Sequence, residues 1–286
     1  MKLLKGDVVA AEIKAAAAEQ VRELTTSGAP APSVAIVDAA AEAAAHVYVG
    51  QVERSFKQAG IQSRRVTLAE GSTTEDLIAA IERLAKDDDV QGILIPTPLP
   101  KGMSLIAAQD AMPPDKDIEG IGSTNVGRLA LGQPKSVPAT PLGGMEILRH
   151  YKIPIEGSRA VVLGRSAVVG WPMATLLQQA GATVTICHSK TRELGAVTRG
   201  ADILVAATGR AGIVTADMVK SGAIVIDFGV NMTARGMVGD VDFEPVSAKA
   251  AAITPVPGGT GVVTTAVLVR NVVDTTLRQR AAEHER

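Results

Sequence analysis

Six short runs rich in β-branched residues recur along this chain with helical patterns between them, and this alternation narrows the possible folds more than any other feature. The runs are SVAIVDA (33–39), QGILIP (91–96), AVVLG (160–164), TVTIC (183–187), DILVAA (202–207) and AIVIDFG (223–229). Each is short, apolar and bounded by turn residues, as a buried strand should be. The helical patterns include TTEDLIAAIERLAKD with a threonine cap, TPLGGMEILRHY with Thr140 as cap and Pro141 in the first turn, and GWPMATLLQQAG closing on Gly181. Parallel strands need long crossovers, usually helical, so the pattern predicts α/β layers around a mostly parallel sheet.

The strand series appears once before Pro138 and again after Gly157, and 286 residues suit two domains at about 150 residues each. The boundary is placed near residue 140, giving domains 1–140 and 141–264. GMVGDVDFEP (236–245) interrupts the second series and reads as a hairpin or projecting arm, a candidate dimer contact. From Gly261 a long helical pattern runs to the end.

The 29 basic and 30 acidic residues nearly cancel without forming a charge block, so nothing marks a nucleic-acid or membrane surface and small-molecule partners are favoured. Cys187 is the only cysteine, which excludes an internal disulfide and a cysteine-rich zinc site; no metal is expected. The charged first helix AAEIKAAAAEQVREL follows no signal core, and no run of about 18 apolar residues occurs, so the expected location is the cytoplasm.

The strand-turn-helix VVLGRSAVVGWP (161–172) is the candidate ligand turn. A P-loop would carry a lysine after its second glycine, where Trp171 and Pro172 stand instead, so an NTPase is excluded. The dinucleotide fingerprint fails by spacing, yet Gly164 ends a strand and Gly170 opens a helix, leaving backbone amides to meet a pyrophosphate. The same turn would equally serve a connection that uses glycine only for packing. After the next strand come His188, Ser189, Lys190, Thr191 and Arg192, where an NAD site would carry an acid. Hydroxyls and cations suit a 2'-phosphate, so NADP is expected, and Arg165 adds a candidate guanidinium. Each basic residue alone also reads as a solvated surface charge.

In order, GRSAVVGWPMATLL, TVTICHSKT, ADILVAATG, AIVIDFGVN, VGDVDF and ITPVPGG resemble the FolD-type methylenetetrahydrofolate dehydrogenase/cyclohydrolases. The likeness continues through the first half in VYVG, AGI, PLPKG, PDKDIEG, NVGRLALG and ATPLGGMEIL. It implies a folate-type substrate domain formed by residues 1–140 and completed by the terminal helix 265–286. It also implies a Rossmann-like NADP domain at 141–264, a cleft between the two, and a homodimer. Gly164, Arg165, Ser166, Ser189 and Val230 fall on the family's NADP-contact positions, with His188 and Thr208 nearby.

On the folate side the pattern changes. The Tyr-x-x-x-Lys motif begins at Tyr48, but Val52 occupies the lysine position. Pro96 stands where a glutamine supports that lysine, and Glu119 where an aspartate holds the pterin. Gly-Gly-Val-Gly-Pro-Met-Thr reads GGTGVVT, and an alanine-rich DAAAEAAAH precedes the tyrosine. Lys57 lies on another part of the helix and is no substitute for the missing amine.

Removing a hydride from the methylene carbon needs alignment and no proton transfer, whereas water attack on the methenyl carbon needs a proton carrier. The expectation is therefore an NADP-dependent methylenetetrahydrofolate dehydrogenase with a weak or absent cyclohydrolase step, Tyr48 and Glu119 being its candidate catalytic residues. Two alternatives stand beside it: an oxidoreductase acting on another pterin or on a cyclic amine or imine, and a non-catalytic nucleotide-binding homologue.

Overall fold

A computed structural model describes residues 1–39, 43–234 and 236–284. The chain divides into two compact units, one formed by Met1–Ala11 with Pro138–Val267 and the other by Glu12–Val137 with Leu268–Arg286.

The unit containing Glu12–Val137 has a three-stranded parallel sheet in the order β3-β2-β4, from β2 (Ser33–Asp38), β3 (Gln62–Thr67) and β4 (Gly92–Leu94). Most of α1 (Gly6–Thr26) belongs here, with α2 (Ala43–Gln58), α3 (Thr74–Ala85), α4 (Leu105–Asp110) and α5 (Ser123–Ala130). The central strand β2 is buried on both faces at Val34, Ala35, Ile36 and Val37, and Leu77, Ile81 and Leu84 of α3 close one side. A reciprocal capping box starts α3: Thr73 Oγ1 accepts from the Asp76 amide at 3.3 Å, and the Asp76 carboxylate accepts from the Thr73 amide at 2.8 Å. β3 was not expected, because QSRRVT is a polar edge strand; Arg65 pairs with Glu53, and Arg64 with Asp87.

The other unit holds a six-stranded parallel sheet in the order β1-β11-β8-β7-β5-β6. Its strands are β1 (Lys2–Leu3), β5 (Arg159–Leu163), β6 (Thr183–Cys187), β7 (Ile203–Ala206), β8 (Ile224–Asp227) and β11 (Ala252–Ile253). Its helices are α6 (Ala139–His150), α7 (Gly170–Gln179), α8 (Leu194–Thr198), α9 (Phe243–Ser247) and the start of α10 (Thr260–His284). β9 (Asn231–Thr233) and β10 (Gly236–Val238) form an antiparallel ribbon.

Three expectations change. The first residues join this second unit rather than the first: the Lys2 amide donates to Ala251 O at 2.7 Å, Leu4 to Ile253 O at 2.9 Å, and Leu4 is fully buried. Thr140 lies inside the first turn of α6, because Leu142 N bonds back to Pro138 O and makes Pro138 the cap. The hairpin begins at Asn231, and the DFEP end of the expected arm folds instead into α9.

Candidate active site

Tyr48 and Val52 lie one turn apart on α2 and so share a face. Val52 is completely buried, as are Val49 and Phe56, so the lysine position of the expected motif is now part of the apolar interior. Tyr48 is half-buried; burial first, and the Glu119 charge second, push its phenol above the ordinary value and keep it a hydrogen-bond donor.

The loop bearing Glu119 is fixed on both sides. Ile93 N donates to Lys116 O at 2.8 Å, extending the edge of β4, and buried Ile118 packs over Gly92, where a Cβ would fall 2.4 Å from Ile118 Cγ2. The Asp117 carboxylate accepts from Gly120 N at 2.8 Å, Gly122 N at 3.0 Å and Asn125 Nδ2 at 2.9 Å. Two side chains from the far part of α10 also hold this stretch: Asn271 Nδ2 donates to Ile118 O at 2.9 Å, and Gln279 Nε2 to Asp115 O at 2.7 Å.

Glu119 accepts from the backbone amide of Ile95, and the next residue, buried Pro96, offers no side-chain amide. Burial is the main cause, and the Asp117 charge the second, of a Glu119 pKa raised to about 8, with the Ile95 amide pulling the other way. The sequence places Glu119 where an aspartate holds the pterin and makes it a candidate catalytic residue. Here it is a carboxyl that keeps its proton at neutral pH, in electrostatic contact with Tyr48. A group titrating near working pH can give or take a proton, a capacity not legible in KDIEG, where only the nearby Asp117 hints at it. Residues 40–42 of the alanine-rich stretch lie outside the described residues.

In the six-stranded unit, every expected cofactor residue follows the carboxyl end of a parallel strand: Gly164, Arg165 and Ser166 after β5, His188 and Ser189 after β6, Thr208 after β7, Val230 after β8. These strands run the same way, so the residues collect along one edge, where open α/β sheets bind ligands. Gly164 has φ +133°, and a Cβ there would fall 2.2 Å from Ala207 O; one on Gly170 would fall 2.3 Å from Gly164 O. The turn is therefore a backbone-on-backbone cradle that excludes side chains.

Ser166 Oγ accepts from the amides of Val169 at 3.2 Å and Gly170 at 3.3 Å, closing the entry to α7 and leaving Arg165–Val168 exposed. His188 shapes its own turn: its amide donates to Thr191 Oγ1 at 2.9 Å and its Nδ1 accepts from Lys190 N at 3.1 Å. Ser189, Lys190 and Arg192 remain exposed, a donor set that fits a phosphate.

Residues 138–280 match the sequence description "Tetrahydrofolate dehydrogenase/cyclohydrolase, NAD(P)-binding domain", and residues 4–119 match the catalytic domain of the same name. The chain belongs to this tetrahydrofolate dehydrogenase/cyclohydrolase family. It is 49% identical over 276 residues to a protein named bifunctional protein FolD from Chloroflexus aurantiacus, covering 96% of this chain and 97% of that one. The crystal structure of the bifunctional enzyme FolD from Campylobacter jejuni superposes with a TM-score of 0.95 at 40% identity, covering 98% and 99% of the two chains. The Trypanosoma brucei methylenetetrahydrofolate dehydrogenase-cyclohydrolase, solved with NADP and an inhibitor, gives 0.92 at 33% identity and 97% coverage of both. The expected α/β class, with parallel sheets and an NAD(P)-binding domain, stands. Among the described residues no helix is long and apolar enough to cross a membrane.

Proposed function

We propose that this family member oxidises methylenetetrahydrofolate to the methenyl form with NADP, and that it hydrolyses the methenyl product slowly. The nicotinamide, when bound, supplies the hydride acceptor. Gly164, Arg165 and Ser166 would hold its pyrophosphate, Ser189 with His188 the 2'-phosphate end, and Thr208 and Val230 the flanking loops. Tyr48 donates a hydrogen bond to the folate ring system, and Glu119 holds the pterin. Neither residue need move a proton for the oxidation.

The observation that carries the proposal is Val52, a fully buried hydrocarbon where the family motif has its amine. Ring opening requires water to lose a proton as it attacks, and losing a general base costs about 10²- to 10⁴-fold. The Campylobacter jejuni and Trypanosoma brucei proteins carry both activities in their names, so the slow second step is where this proposal parts from what those names say. Glu119 is the remaining group of this set able to carry a proton, and it caps how far hydrolysis falls.

With methylenetetrahydrofolate and NADP, methenyl absorbance should rise and then decay only slowly. Rapid stoichiometric conversion to formyltetrahydrofolate by the unaltered enzyme refutes the slow second step. Val52→Lys should raise hydrolysis by about 100-fold if the amine alone is missing. Met232 and Met237 of the β9–β10 ribbon are exposed and support a homodimer formed through this arm, testable by light scattering.

A further inference from the structure

Two carboxylates are buried side by side in the six-stranded unit, and neither belongs to the contact set above. Asp240 is fully buried. Its Oδ2 accepts from Thr208 N at 2.5 Å, Thr208 Oγ1 at 2.9 Å and Gly209 N at 2.9 Å, and its Oδ1 accepts from Asn231 Nδ2 at 2.9 Å. Asp227, at the end of β8, accepts from Gly229 N at 2.7 Å, Asp240 N at 3.0 Å and Val241 N at 3.0 Å. The packing leaves no room for side chains beside them: a Cβ on Gly229 would fall 2.2 Å from Asp240 N, and one on Gly239 would fall 1.9 Å from Asp227 Oδ2.

The segments tied together are functionally placed. Thr208–Gly209 leaves β7 and Gly229–Asn231 leaves β8, two parallel neighbours whose carboxyl ends form the ligand edge of the sheet. Asp240 reaches both from a third segment, after β10. Its acceptors fix the Thr208 hydroxyl inward, where it also receives the Arg210 amide at 3.2 Å. Thr208 can therefore meet a dinucleotide only through its remaining faces, in the orientation that Asp240 sets.

We infer that Asp240 is a positioning residue for the dinucleotide: by gathering four donors from the β7 and β8 loops it holds Thr208 and Val230 in the register that the cofactor requires. This rests on the NADP reading above. A carboxylate suits the role because it accepts at both oxygens and donates at neither. Charge-assisted bonds to backbone amides also fix geometry more firmly than neutral ones.

The test compares Asp240→Ala, Asp240→Asn and Asn231→Ala by NADP titration calorimetry and by amide exchange at Thr208 and Gly209, with circular dichroism as the fold control. Asparagine keeps an acceptor for Thr208 and Gly209, and Asn231 can turn its amide oxygen toward the new NH2. Asp240→Asn should therefore bind NADP within about threefold of the original, whereas alanine orphans buried donors and should weaken it roughly 10- to 100-fold. In Asp240→Ala the two amides should exchange faster, and folate binding should stay unchanged.

Should Asp240→Ala fail to fold, Asn231→Ala decides the matter, with an expected loss of several-fold in NADP affinity and none in folate affinity. Unchanged NADP affinity in the folded alanine variant, or in Asn231→Ala when that is the one read, overturns the inference. So does a loss in Asp240→Asn as deep as in alanine. If the unaltered protein binds no NADP, the function reading falls and this inference falls with it; unaltered binding that survives in the variants removes the inference alone.

Discussion

The two units build their candidate ligand sites from different materials. In the six-stranded unit the edge is made of backbone: a glycine cradle at 164 and 170, and amides gathered by Asp227 and Asp240. In the three-stranded unit the candidate site rests on individual side chains, Tyr48 and Glu119, with Val52 and Pro96 buried behind them. A backbone site tolerates little change at its close approaches, because a methyl added at Gly164 or Gly170 meets main-chain atoms. A side-chain site can vary without losing its frame, since Val52 packs with Val49 and Phe56 in the interior. On the reading proposed above, that contrast would let a chain keep its family's nucleotide turn while its folate-side side chains vary.

Gly164→Ala strikes hardest at this contrast. With φ at +133° and a new methyl 2.2 Å from Ala207 O, the turn must open, and NADP affinity should fall at least about 100-fold in calorimetry, with a lower melting temperature. Near-normal NADP binding by that variant would break the distinction between the units.

Next in size is the pH response of Glu119. The native group holds its proton up to about pH 8, whereas an unfolded chain releases it near the ordinary glutamate value. Its contribution to stability is therefore complete at low pH and lost as pH rises through 8, at a slope of up to about 1.4 kcal/mol per unit. Asp227, raised to about 6 chiefly by burial, adds a slope of the same sign at lower pH and is present in both proteins. Urea unfolding at pH 5.5, 7 and 8.5 should show the Glu119→Gln variant losing less stability with pH than the original. Parallel curves would mean that Glu119 is already ionised in the fold.

The smallest expected effect is a control outside both sites. Thr73→Ala removes half of the α3 capping box and should cost about 1 kcal/mol in urea unfolding while leaving NADP and folate affinities unchanged.

Much of the architecture is readable from residue pattern because buried parallel strands are continuous apolar runs; SVAIVD and ILVA are strands within a residue or two of their expected ends. β3 escapes for the opposite reason, its QSRRVT being an exposed edge stabilised by ion pairs with residues distant in sequence. β1 escapes because two residues carry no period. At the sites, the glycine turn is legible since Gly164 and Gly170 stand within one short strand-turn-helix, although the Ala207 carbonyl that crowds Gly164 follows a distant strand. The Glu119 shift is not, because it depends on burial and on Asp117 folding back beside it. Nor is the hold of Asp240 on Thr208, which joins residues 32 apart and whose reason, a set of orphan amides, exists only once the loops have met.

The short strand β1 has a consequence for how this protein is made and handled. Its partners lie at Ala252 and Ile253, so Lys2 and Leu3 find their place in the sheet only once that distant stretch of chain has been made. Proteolytic trimming of β1 would leave β11 as a raw sheet margin, open to pairing with stray strands.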